Sequence, residues 1–319
     1  MYSFLPIAYH QKQFIPFFEA KISIATHAFH YGTGAFGGLR GIQDPQNPRQ
    51  ILLFRFDQHC QRLSNSAKLL DYDLPAEHIR EIIIEFIQQN QPNTSIYIRP
   101  FIYTSDLGLT PRVHNIEKDF LIYGLEMGDS PLSGGVSCRI SSWSRQQDAS
   151  LPLRGKISGT YITSALAKTE AAKSGFDEAI LLNSQGKVSE ATAMNVFIVR
   201  NGQLITPGVE QDILEGITRN SILTIARDLG IPVIERPVDK SELLIADEAF
   251  LSGTAARLIP IKRIESYMLS EFHPITDRLR GHLFAIMENR LSQYPDLSRY
   301  ENWVQTVSLD SLSRCPPLN

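Results

Sequence analysis

The first 126 residues contain short segments in which apolar residues alternate with polar ones or follow one another directly. The segments 50–56 (QILLFRF), 95–103 (SIYIRPFIY) and 119–126 (DFLIYGLE) have this character. Alternation places successive side chains on opposite faces of a strand, and an unbroken apolar run is typical of a strand buried on both faces. The pattern therefore predicts three strands here.

Two amphipathic helices are predicted between the first and the second of these strands. Asp57 is a suitable N-cap for a helix over QHCQRLSNSAKLL, and Pro75 suits the start of the next helix. In that second helix the apolar residues recur every three or four positions, which places them on one face of the helix. The stripe consists of Ile79, Ile82, Ile83, Phe86 and Ile87.

A segment dense in glycine, serine and proline, MGDSPLSGG at 127–135, is the candidate linker. The elements predicted after it are a strand (VSCRISSW), a helix at about 161–174, a hairpin at about 178–206, a helix at about 217–229 and a helix near 275–293. This mixture predicts an α+β fold. We expect a small domain at 1–126, an interdomain loop at 127–135 and a large domain at 136–319.

Composition and charge narrow the class of protein. The chain has 319 residues, of which 43% are hydrophobic and 20% charged, and its formal net charge is −3. These values are ordinary for a globular protein and give no basic field that would attract nucleic acid or a membrane surface. No apolar run is long enough to span a bilayer. We therefore expect neither nucleic acid nor a membrane as a partner.

The cysteines and the first residues indicate the compartment. Cys60, Cys138 and Cys315 have the spacing of neither a metal site nor a disulfide framework, which favours a reducing compartment. The opening MYSFLPIAYH lacks the charged segment and apolar core of a secretory signal. We therefore expect a cytoplasmic protein without a bound metal.

One lysine lies in an unusual setting. Lys156 stands among glycine and small polar residues in LPLRGKISGTY, and Tyr161 follows at the first turn of the predicted helix. That helix is expected to turn Ile162, Ala165, Leu166 and Thr169 inward, so that it fixes Lys156 and Tyr161 beside one cavity. Partial desolvation and a nearby cation lower the pKa of a lysine and make it reactive. The alternative is a solvated loop lysine.

A glutamate occupies the second arm of the predicted hairpin. Glu190, in GKVSEATAMNVFIV, is followed by small residues and has no charge cluster beside it. A carboxylate that is buried in such a strand must be paired. The protonated ring nitrogen of pyridoxal phosphate (PLP) would be a suitable partner, because an acidic residue there maintains the ring as an electron sink. The alternative is an exposed glutamate at a strand end.

Several positions are suited to bind an anion. Gly216 precedes an amphipathic helix, so the backbone N–H groups of Ile217 and Thr218 would face a phosphate, assisted by the helix dipole. Thr254 supplies a hydroxyl in the small-residue loop SGTAA, and Arg55 could hold phosphate in a bidentate manner. Each signal alone is weak, because a glycine before a helix usually marks only the helix boundary and an isolated arginine is more often a surface residue.

The segment YIRPFIY offers an arginine among aromatic side chains. In a strand, Tyr97, Arg99, Phe101 and Tyr103 share one face. This combination suits a substrate carboxylate in a mostly apolar pocket, although an amphipathic surface face has the same pattern. Pro100 favours an edge strand or a bulge, since proline cannot donate to the ladder.

The order of these segments resembles a known family. The motifs HYGTGAFGGLR, LLFRFDQHCQRL, YIRP, GKISGTY, VSEATAMNVF, LEGITRNSI and ADEAFLSGTAA are similar to the successive motifs of fold-type IV PLP enzymes, and most similar to those of branched-chain amino acid aminotransferases. The similarity extends from about residue 27 to about residue 275. It implies the D-amino acid aminotransferase-like fold, with a small α/β domain and a larger domain that has a β-barrel-like core.

The resemblance implies a PLP cofactor and a role for each matched residue. Lys156 would hold PLP covalently, Tyr161 would contact the phenolic oxygen, and Glu190 would contact the ring nitrogen. The implied phosphate ligands are Arg55, Ile217, Thr218 and Thr254. The implied substrate-binding residues are Tyr31, Phe36, Gly38, Tyr97, Arg99, Thr254 and Ala255, with Tyr97 and Arg99 on the α-carboxylate side.

Three positions depart from the family pattern. Phe36-Gly37-Gly38 stands where relatives commonly read F-E-G, so a carboxylate near the pocket is lost and a looser pocket is expected. Tyr123 stands where some relatives have tryptophan, and Ala193 replaces a polar residue or glycine. The segment 103–120 also differs from the common version of a loop that, in the family, helps to close the pocket partly across a dimer interface. A homodimer or higher homo-oligomer is therefore implied.

The implied activity is transfer of the amino group of leucine, isoleucine or valine to 2-oxoglutarate. Two alternatives on the same fold are a D-amino acid aminotransferase and an aminodeoxychorismate lyase, and YIRP favours the branched-chain group. A non-catalytic PLP-binding protein is a third alternative. The presence of Lys156, Tyr161 and Glu190 argues against it.

Overall fold

The computed structural model describes residues 2–128, 134–294 and 296–310. The strands, in chain order, are β1 (Ile7–His10), β2 (Gln13–Pro16), β3 (Gly34–Phe36), β4 (Leu39–Gln43), β5 (Gln50–Phe54), β6 (Ile96–Thr104), β7 (Lys118–Glu126), β8 (Val136–Ile140), β9 (Glu178–Leu182), β10 (Val188–Ala191), β11 (Asn195–Arg200), β12 (Gln203–Thr206), β13 (Val233–Glu235), β14 (Glu248–Gly253), β15 (Arg257–Ile264), β16 (Tyr267–Met268) and β17 (Val304–Ser308). The helices are α1 (His27–Tyr31), α2 (Phe56–Lys68), α3 (Ala76–Asn90), α4 (Tyr161–Lys173), α5 (Ile217–Asp228), α6 (Lys240–Leu244) and α7 (Pro274–Met287).

The chain divides into two compact units. The first contains Met1–Gly128 and Ala285–Asn319, and the second contains Asp129–Phe284. Most of the predicted linker, residues 129–133, lies outside the described residues. The C-terminal residues group differently from the sequence-based division, which assigned everything after residue 135 to one domain. The reason is that β17 pairs antiparallel with β5 and extends the sheet of the first unit.

The first unit is built on an eight-stranded sheet with the order β17-β5-β4-β6-β7-β1-β2, with β3 also paired to β6. Strand β6 is interior, so Pro100 does not lie at an edge. Instead it lies opposite the interruption between β3 and β4, where the Gly37 N–H donates to the Pro100 carbonyl at 2.8 Å. Pro100 has no N–H to donate, and it lies where the hydrogen-bond ladder from β6 to β3 and β4 is already interrupted.

The two helices predicted in the first unit are present as α2 and α3. The five apolar residues predicted to form the stripe of α3 are all buried, which confirms that prediction. The prediction that Asp57 caps α2 is wrong. The helix begins at Phe56, and Arg55 is the capping residue, with a φ of 52°. The Arg55 N–H donates to the Trp303 carbonyl at 2.6 Å. The two residues are 248 positions apart, so the local sequence cannot reveal this contact.

The second unit contains a curled, half-barrel sheet with the order β10-β9-β8-β15-β14-β11-β12-β13, with β16 on β15. Strand β8 is parallel to both β9 and β15, and α4 forms the crossover from β8 to β9. Most other neighbours are antiparallel, so the α+β prediction is confirmed. The sheet surrounds an apolar core that includes Val188, Val196, Leu251 and Ile259.

The face by which α4 packs differs from the prediction. Ile162 and Leu166, which were expected to point inward, are 62% and 38% exposed. The buried residues of α4 are Ser164, Ala167 and Ala171. The two alanines pack on Ala179 and Leu181 of β9, so small side chains allow a close approach of helix and sheet. The pattern of hydrophobic residues therefore predicted the wrong face of α4. The buried face is the one whose small side chains let the helix pack closely on β9.

The two cysteines among the described residues are buried thiols. Cys60 and Cys138 are free and buried, and Cys315 lies outside the described residues. Burial raises the pKa of the Cys60 thiol to about 12 and also raises the pKa of Cys138. Neither thiol is therefore ionised near neutral pH.

Candidate active site

Lys156 and Tyr161 lie together in the second unit. The Gly155 N–H donates to the Pro152 carbonyl at 3.1 Å and closes a turn just before the lysine. A short 3-10 helix, Ser158–Thr160, then leads into α4, which begins at Tyr161. As a result the Lys156 Nζ donates to the Tyr161 hydroxyl at 2.7 Å. The half-buried amine is thus held by a neighbour only five residues away in the chain.

Glu190 lies on β10, the second arm of the β9–β10 hairpin, and is only 6% exposed. The Arg145 Nη2 lies 2.8 Å from its Oε1. Its Oε2 accepts from the Asn195 side-chain amide at 3.0 Å and from the Leu214 N–H at 3.2 Å. The carboxylate is therefore buried and paired within the protein. A carboxylate can accept about four hydrogen bonds, so these three contacts leave capacity for a further donor.

The electrostatic surroundings of Glu190 combine two opposing effects. Burial raises the pKa of its carboxyl, because the charged form loses solvation. The largest opposing influence is the Arg145 guanidinium, followed by the Leu214 N–H and the charges of Lys156 and Arg219. Lys156 is thus close enough to act on Glu190, which brings two of the predicted site residues into one electrostatic neighbourhood.

The start of α5 is tied to this carboxylate through Asn195. The Asn195 amide also donates to the Leu214 carbonyl at 2.9 Å. A Cβ on Gly216, the N-cap of α5, would lie 2.0 Å from the Asn195 Oδ1, so only glycine fits there. The Asn220 N–H donates to the Gly216 carbonyl at 2.9 Å. The amides of Ile217 and Thr218 precede that bond in the first turn, where a helix offers its backbone N–H groups no intrahelical acceptor. Their binding of an anion stays a prediction.

The turn that carries Thr254 and Ala255 connects β14 with β15. In the adjoining ladder Asn195 of β11 pairs with Ser252 of β14. A Cβ on Gly253 would lie 3.1 Å from the Met194 side chain, so the turn packs close to the β10–β11 connection, which contains Ala193. The turn therefore directly follows β14, the strand whose Ser252 pairs with Asn195 of β11. Arg257, at the end of the turn, has a φ of 59° and lies over the Phe284 ring at 3.7 Å.

Four of the predicted substrate-binding residues meet in the first unit. The Arg99 guanidinium lies 4.6 Å from the ring centre of Phe36 and 5.3 Å from that of Tyr97. It donates to the Tyr97 hydroxyl at 3.2 Å. A Cβ on Gly38 would lie 2.1 Å from the same hydroxyl, so glycine leaves the room that Tyr97 occupies. The shared strand face predicted for Tyr97 and Arg99 is therefore a real cluster.

Two of the departures from the family pattern have a structural account. A Cβ on Gly37 would lie 2.7 Å from the Pro100 ring. In that direction the space is filled by Pro100, so the expected loosening of a pocket at Gly37 does not follow from this packing. Tyr123 lies on β7 directly opposite Arg99 of β6, and its ring is 6.1 Å from that of Phe4. It belongs to an aromatic cluster with Phe4 and Phe17.

The two remaining predicted residues also lie in the first unit. Tyr31 ends α1, and its hydroxyl donates to the Leu109 carbonyl in the divergent 103–120 segment. The Arg55 guanidinium lies over the Trp303 ring at 4.4 Å. Burial lowers its pKa, but a guanidinium remains charged at any physiological pH.

Sequence reasoning missed Arg145 and Asn195. Arg145 stands in the loop after β8 with no motif or periodicity around it, and it meets Glu190 only through the fold. A buried glutamate requires a counter-charge, but the sequence offers no means of choosing which arginine supplies it. Asn195 is five residues from Glu190, and the β10–β11 connection could have suggested it.

Residues 46–264 match the model of the family described as amino-transferase class IV. The match covers more than half of the chain.

The chain belongs to the class IV aminotransferase family.

Named relatives of this aminotransferase agree with the match. The chain is 66% identical over 310 residues to a probable branched-chain-amino-acid aminotransferase of Synechocystis, covering 97% of this chain and 100% of that protein. It is also 34% identical over 278 residues to the branched-chain-amino-acid aminotransferase of Escherichia coli K12, covering 84% and 88%.

Solved structures show the same fold. The branched-chain aminotransferase of Thermoproteus uzoniensis, solved with norvaline, has a TM-score of 0.88 and 34% identity, and the match covers 94% of this chain and 99% of that one. The branched-chain amino acid aminotransferase of Thermobaculum terrenum, solved in its PLP form, has a TM-score of 0.88 and 32% identity and covers 96% and 99%. The fold-type IV prediction is therefore confirmed.

The residues of the second unit fit the chemistry of PLP. They supply an amine that donates to a tyrosine hydroxyl, a buried carboxylate with capacity for a further donor, and a helix whose N-cap is glycine. Within the described ranges, no cluster of three or more His, Cys, Asp or Glu side chains could hold a metal ion. No helix in those ranges is both long and apolar enough to cross a membrane.

Proposed function

We propose that this class IV aminotransferase uses PLP to transfer the amino group of leucine, isoleucine or valine to 2-oxoglutarate. The products are the branched 2-oxo acids and L-glutamate. The observation that carries the proposal is the 2.7 Å contact between the Lys156 amine and the Tyr161 hydroxyl, in the same unit as the buried, paired Glu190. The names of the relatives support the choice of substrate.

Each residue of the second unit has a defined task in this proposal. Lys156 binds the cofactor covalently and afterwards moves the proton that leaves the substrate Cα, because its amine is then free to act as a base. Tyr161 orients that amine, and Glu190 holds a proton at the ring nitrogen. Bound PLP supplies the electron sink that stabilises charge at the substrate Cα. The proposed phosphate ligands are Arg55, the backbone N–H groups of Ile217 and Thr218, and the Thr254 hydroxyl.

The proposed substrate-binding residues divide by chemistry. Arg99 and Tyr97 offer a cation and a hydroxyl that are fixed to each other, which suits a carboxylate. Phe36 and Gly38 offer an apolar wall next to them. Tyr31, Thr254 and Ala255 complete the proposed set. An apolar wall with a few polar groups can accept a branched side chain in one half-reaction and glutamate in the other.

The first test of the function is chemical labelling. The purified protein should be yellow with bound PLP, and borohydride should fix the cofactor to the peptide that contains Lys156. Label on a different lysine would contradict the assignment. A coupled assay with L-leucine, D-alanine and aminodeoxychorismate then separates the proposed activity from those of related enzymes on the same fold.

Substrate preference should increase with the size of the apolar side chain. From L-alanine to L-leucine three carbons are added, and each buried methylene contributes about 0.8 kcal/mol. We therefore expect kcat/KM to rise at least on the order of tenfold across L-alanine, L-valine and L-leucine, even with partial burial. L-threonine, which has nearly the shape of L-valine, is the matched polar control and should react more slowly. A flat series or a preference for D-alanine would overturn the branched-chain assignment.

Removing Arg55 should weaken cofactor binding through the phosphate alone. For Arg55→Ala we expect a loss of about 1.5–3 kcal/mol in PLP affinity, the usual scale for a hydrogen bond to a charged group. Pyridoxal, which lacks the phosphate, should bind equally well to variant and native apoprotein. Arg55→Lys should retain part of the affinity. Arg49→Ala, at an exposed ion pair with Asp310, is the matched control. Unchanged PLP affinity in Arg55→Ala would leave Arg55 as a structural residue on Trp303.

A homodimer and a cytoplasmic location stay predictions. The first unit exposes apolar side chains on two adjacent segments, and such patches often mark an association surface. They are Ile22, Ile24, Phe29, Leu107 and Leu109. The segments are joined by the His27 N–H, which donates to the Asp106 carbonyl at 2.8 Å. Sedimentation equilibrium checks the dimer directly.

A further inference from the structure

Arg145 is the one guanidinium in direct contact with Glu190 among the described residues. Its Nη2 lies 2.8 Å from the Glu190 Oε1, and the two side chains are 5% and 8% exposed. The loop that carries Arg145 is fixed by its N–H, which donates to the Leu182 carbonyl at 2.8 Å. The guanidinium is further fixed by its Nε, which donates to the Asp212 carbonyl at 3.1 Å. Arg145 therefore has a single, well-supported position.

The two carboxylate oxygens of Glu190 have different partners. Oε1 faces the Arg145 charge, whereas Oε2 accepts from the neutral amides of Asn195 and Leu214. Asn195 is itself fixed by the Leu214 carbonyl and by its contact with Gly216. The plane of the carboxylate is thus set by Asn195 at the start of β11 and by Leu214 on the segment before α5. A carboxylate held by these three partners does not rotate freely, although it can still accept from one further donor.

A carboxylate buried to this extent tends to take up a proton and lose its charge. Burial raises the pKa of Glu190, and the cations that oppose this effect are Arg145 in the loop after β8, Lys156 before α4 and Arg219 in α5. In the proposed function the Lys156 amine binds the cofactor, and Arg219 donates to the Pro207 carbonyl and to Glu235. A further acid on this segment is Asp212, whose carboxylate accepts from the Asp148 N–H and whose backbone carbonyl accepts from Arg145.

We propose that Arg145 is a positioning residue that keeps Glu190 anionic, so that the proton shared by Glu190 and a bound pyridine nitrogen resides on the nitrogen. This inference rests on the proposed function for the pyridine, but its first half concerns the apoprotein alone. Without the Arg145 charge the proton moves to the carboxylate. The pair then becomes a neutral acid beside a neutral ring, and the ring withdraws electrons less strongly.

The test compares two substitutions of similar size. Arg145→Gln keeps a donor but removes the charge, and Arg145→Lys keeps the charge but loses the planar fork. Arg227→Gln, at the exposed pair with Glu235, is the matched control. In apoprotein labelled with 13C at the glutamate carboxyl groups, the Glu190 signal is assigned by its loss in Glu190→Gln. We expect its titration midpoint to move upward by about 1–3 pH units in Arg145→Gln and to remain close to native in Arg145→Lys.

The second measurement uses the holoenzyme. With PLP labelled at the ring nitrogen, the 15N resonance should lie at the protonated position in the native protein, in Arg145→Lys and in Arg227→Gln. It should move to the unprotonated position in Arg145→Gln. Single-turnover deprotonation of L-leucine should slow in that variant on the order of 10–100-fold, the scale for losing a partner that supports a functional side chain. In the Glu190→Gln background the same substitution should have little effect.

Several outcomes would overturn the proposal. One is an unmoved Glu190 midpoint in Arg145→Gln apoprotein, and another is an unmoved 15N resonance with the native rate. If Arg145→Gln does not fold, the Arg145→Lys variant tests the proposal instead. A raised Glu190 titration midpoint in Arg145→Lys, which retains the positive charge, would contradict the proposed role of Arg145. Failure of the proposed function is distinguishable, because a native protein that binds no PLP fails the labelling test while the apoprotein titration still reports on Arg145.

Discussion

Replacing Lys156 with alanine is expected to abolish transamination while leaving phosphate-anchored PLP in place. The variant loses both the covalent attachment and the amine that moves the substrate Cα proton. A positioned acid–base group contributes on the order of 10²–10⁴-fold to a rate, so single turnover should fall by at least this amount. The structural reason is that the 2.7 Å contact with Tyr161 holds one particular amine in place, and the substitution removes that amine.

The Lys156→Ala experiment has two controls. Lys187→Ala removes a lysine of the same unit that pairs with Asp239, and it should keep both the borohydride label and the activity. Small amines added to Lys156→Ala should restore part of the proton transfer, since they replace the missing base. Retained turnover in Lys156→Ala without added amine would show that another group moves the proton.

The parts of the site that sequence could predict are those held by local contacts. Lys156 and Tyr161 are five residues apart, and a turn followed by a helix start is sufficient to bring them together. The same holds for Gly216 before α5, where glycine and an amphipathic pattern mark the helix start. Tyr97 and Arg99 meet because alternate residues of a strand share a face. In each case one element fixes the geometry.

The predictions that failed concern contacts made between distant elements. Arg55 rather than Asp57 caps α2, because the backbone there is held by Trp303. Strand β17 joins the first unit through β5, a pairing across roughly 250 residues that has no local signal. The face of α4 is set by close packing of alanines on β9, which a hydrophobic pattern does not show. Tertiary contacts thus overrode local preference at each of these sites.

The pairing of Arg145 with Glu190 is also a contact between distant elements, and it was not predicted from the sequence. The two residues lie 45 positions apart, and no local pattern links them. Only the curled sheet, which brings the loop after β8 next to β10, reveals that the glutamate has a counter-charge. The counter-charge changes what a substitution at Glu190 should do, because it leaves a second buried charge behind.

Glu190→Gln should therefore have two separate effects. The neutral amide cannot hold a proton at the ring nitrogen by charge, so deprotonation of the substrate Cα should slow on the order of 10²–10³-fold, the scale for losing one preorganised electrostatic group. PLP should still bind, because the phosphate ligands and Lys156 are untouched. The variant should also be less stable by about 3–5 kcal/mol, the cost of breaking a buried ion pair at one partner. Single-turnover absorbance and urea unfolding of the apoprotein measure the two effects independently.

Two further variants separate these effects. Glu190→Asp keeps the charge on a shorter side chain and should retain more of the rate than Glu190→Gln. The double variant Glu190→Gln with Arg145→Gln removes both charges and should recover part of the lost stability, since no buried cation is then left without an anion. It should not recover the rate, because the ring nitrogen still lacks a carboxylate. A Glu190→Gln enzyme that deprotonates L-leucine at nearly the native rate would show that this carboxylate serves the fold and does not tune the cofactor.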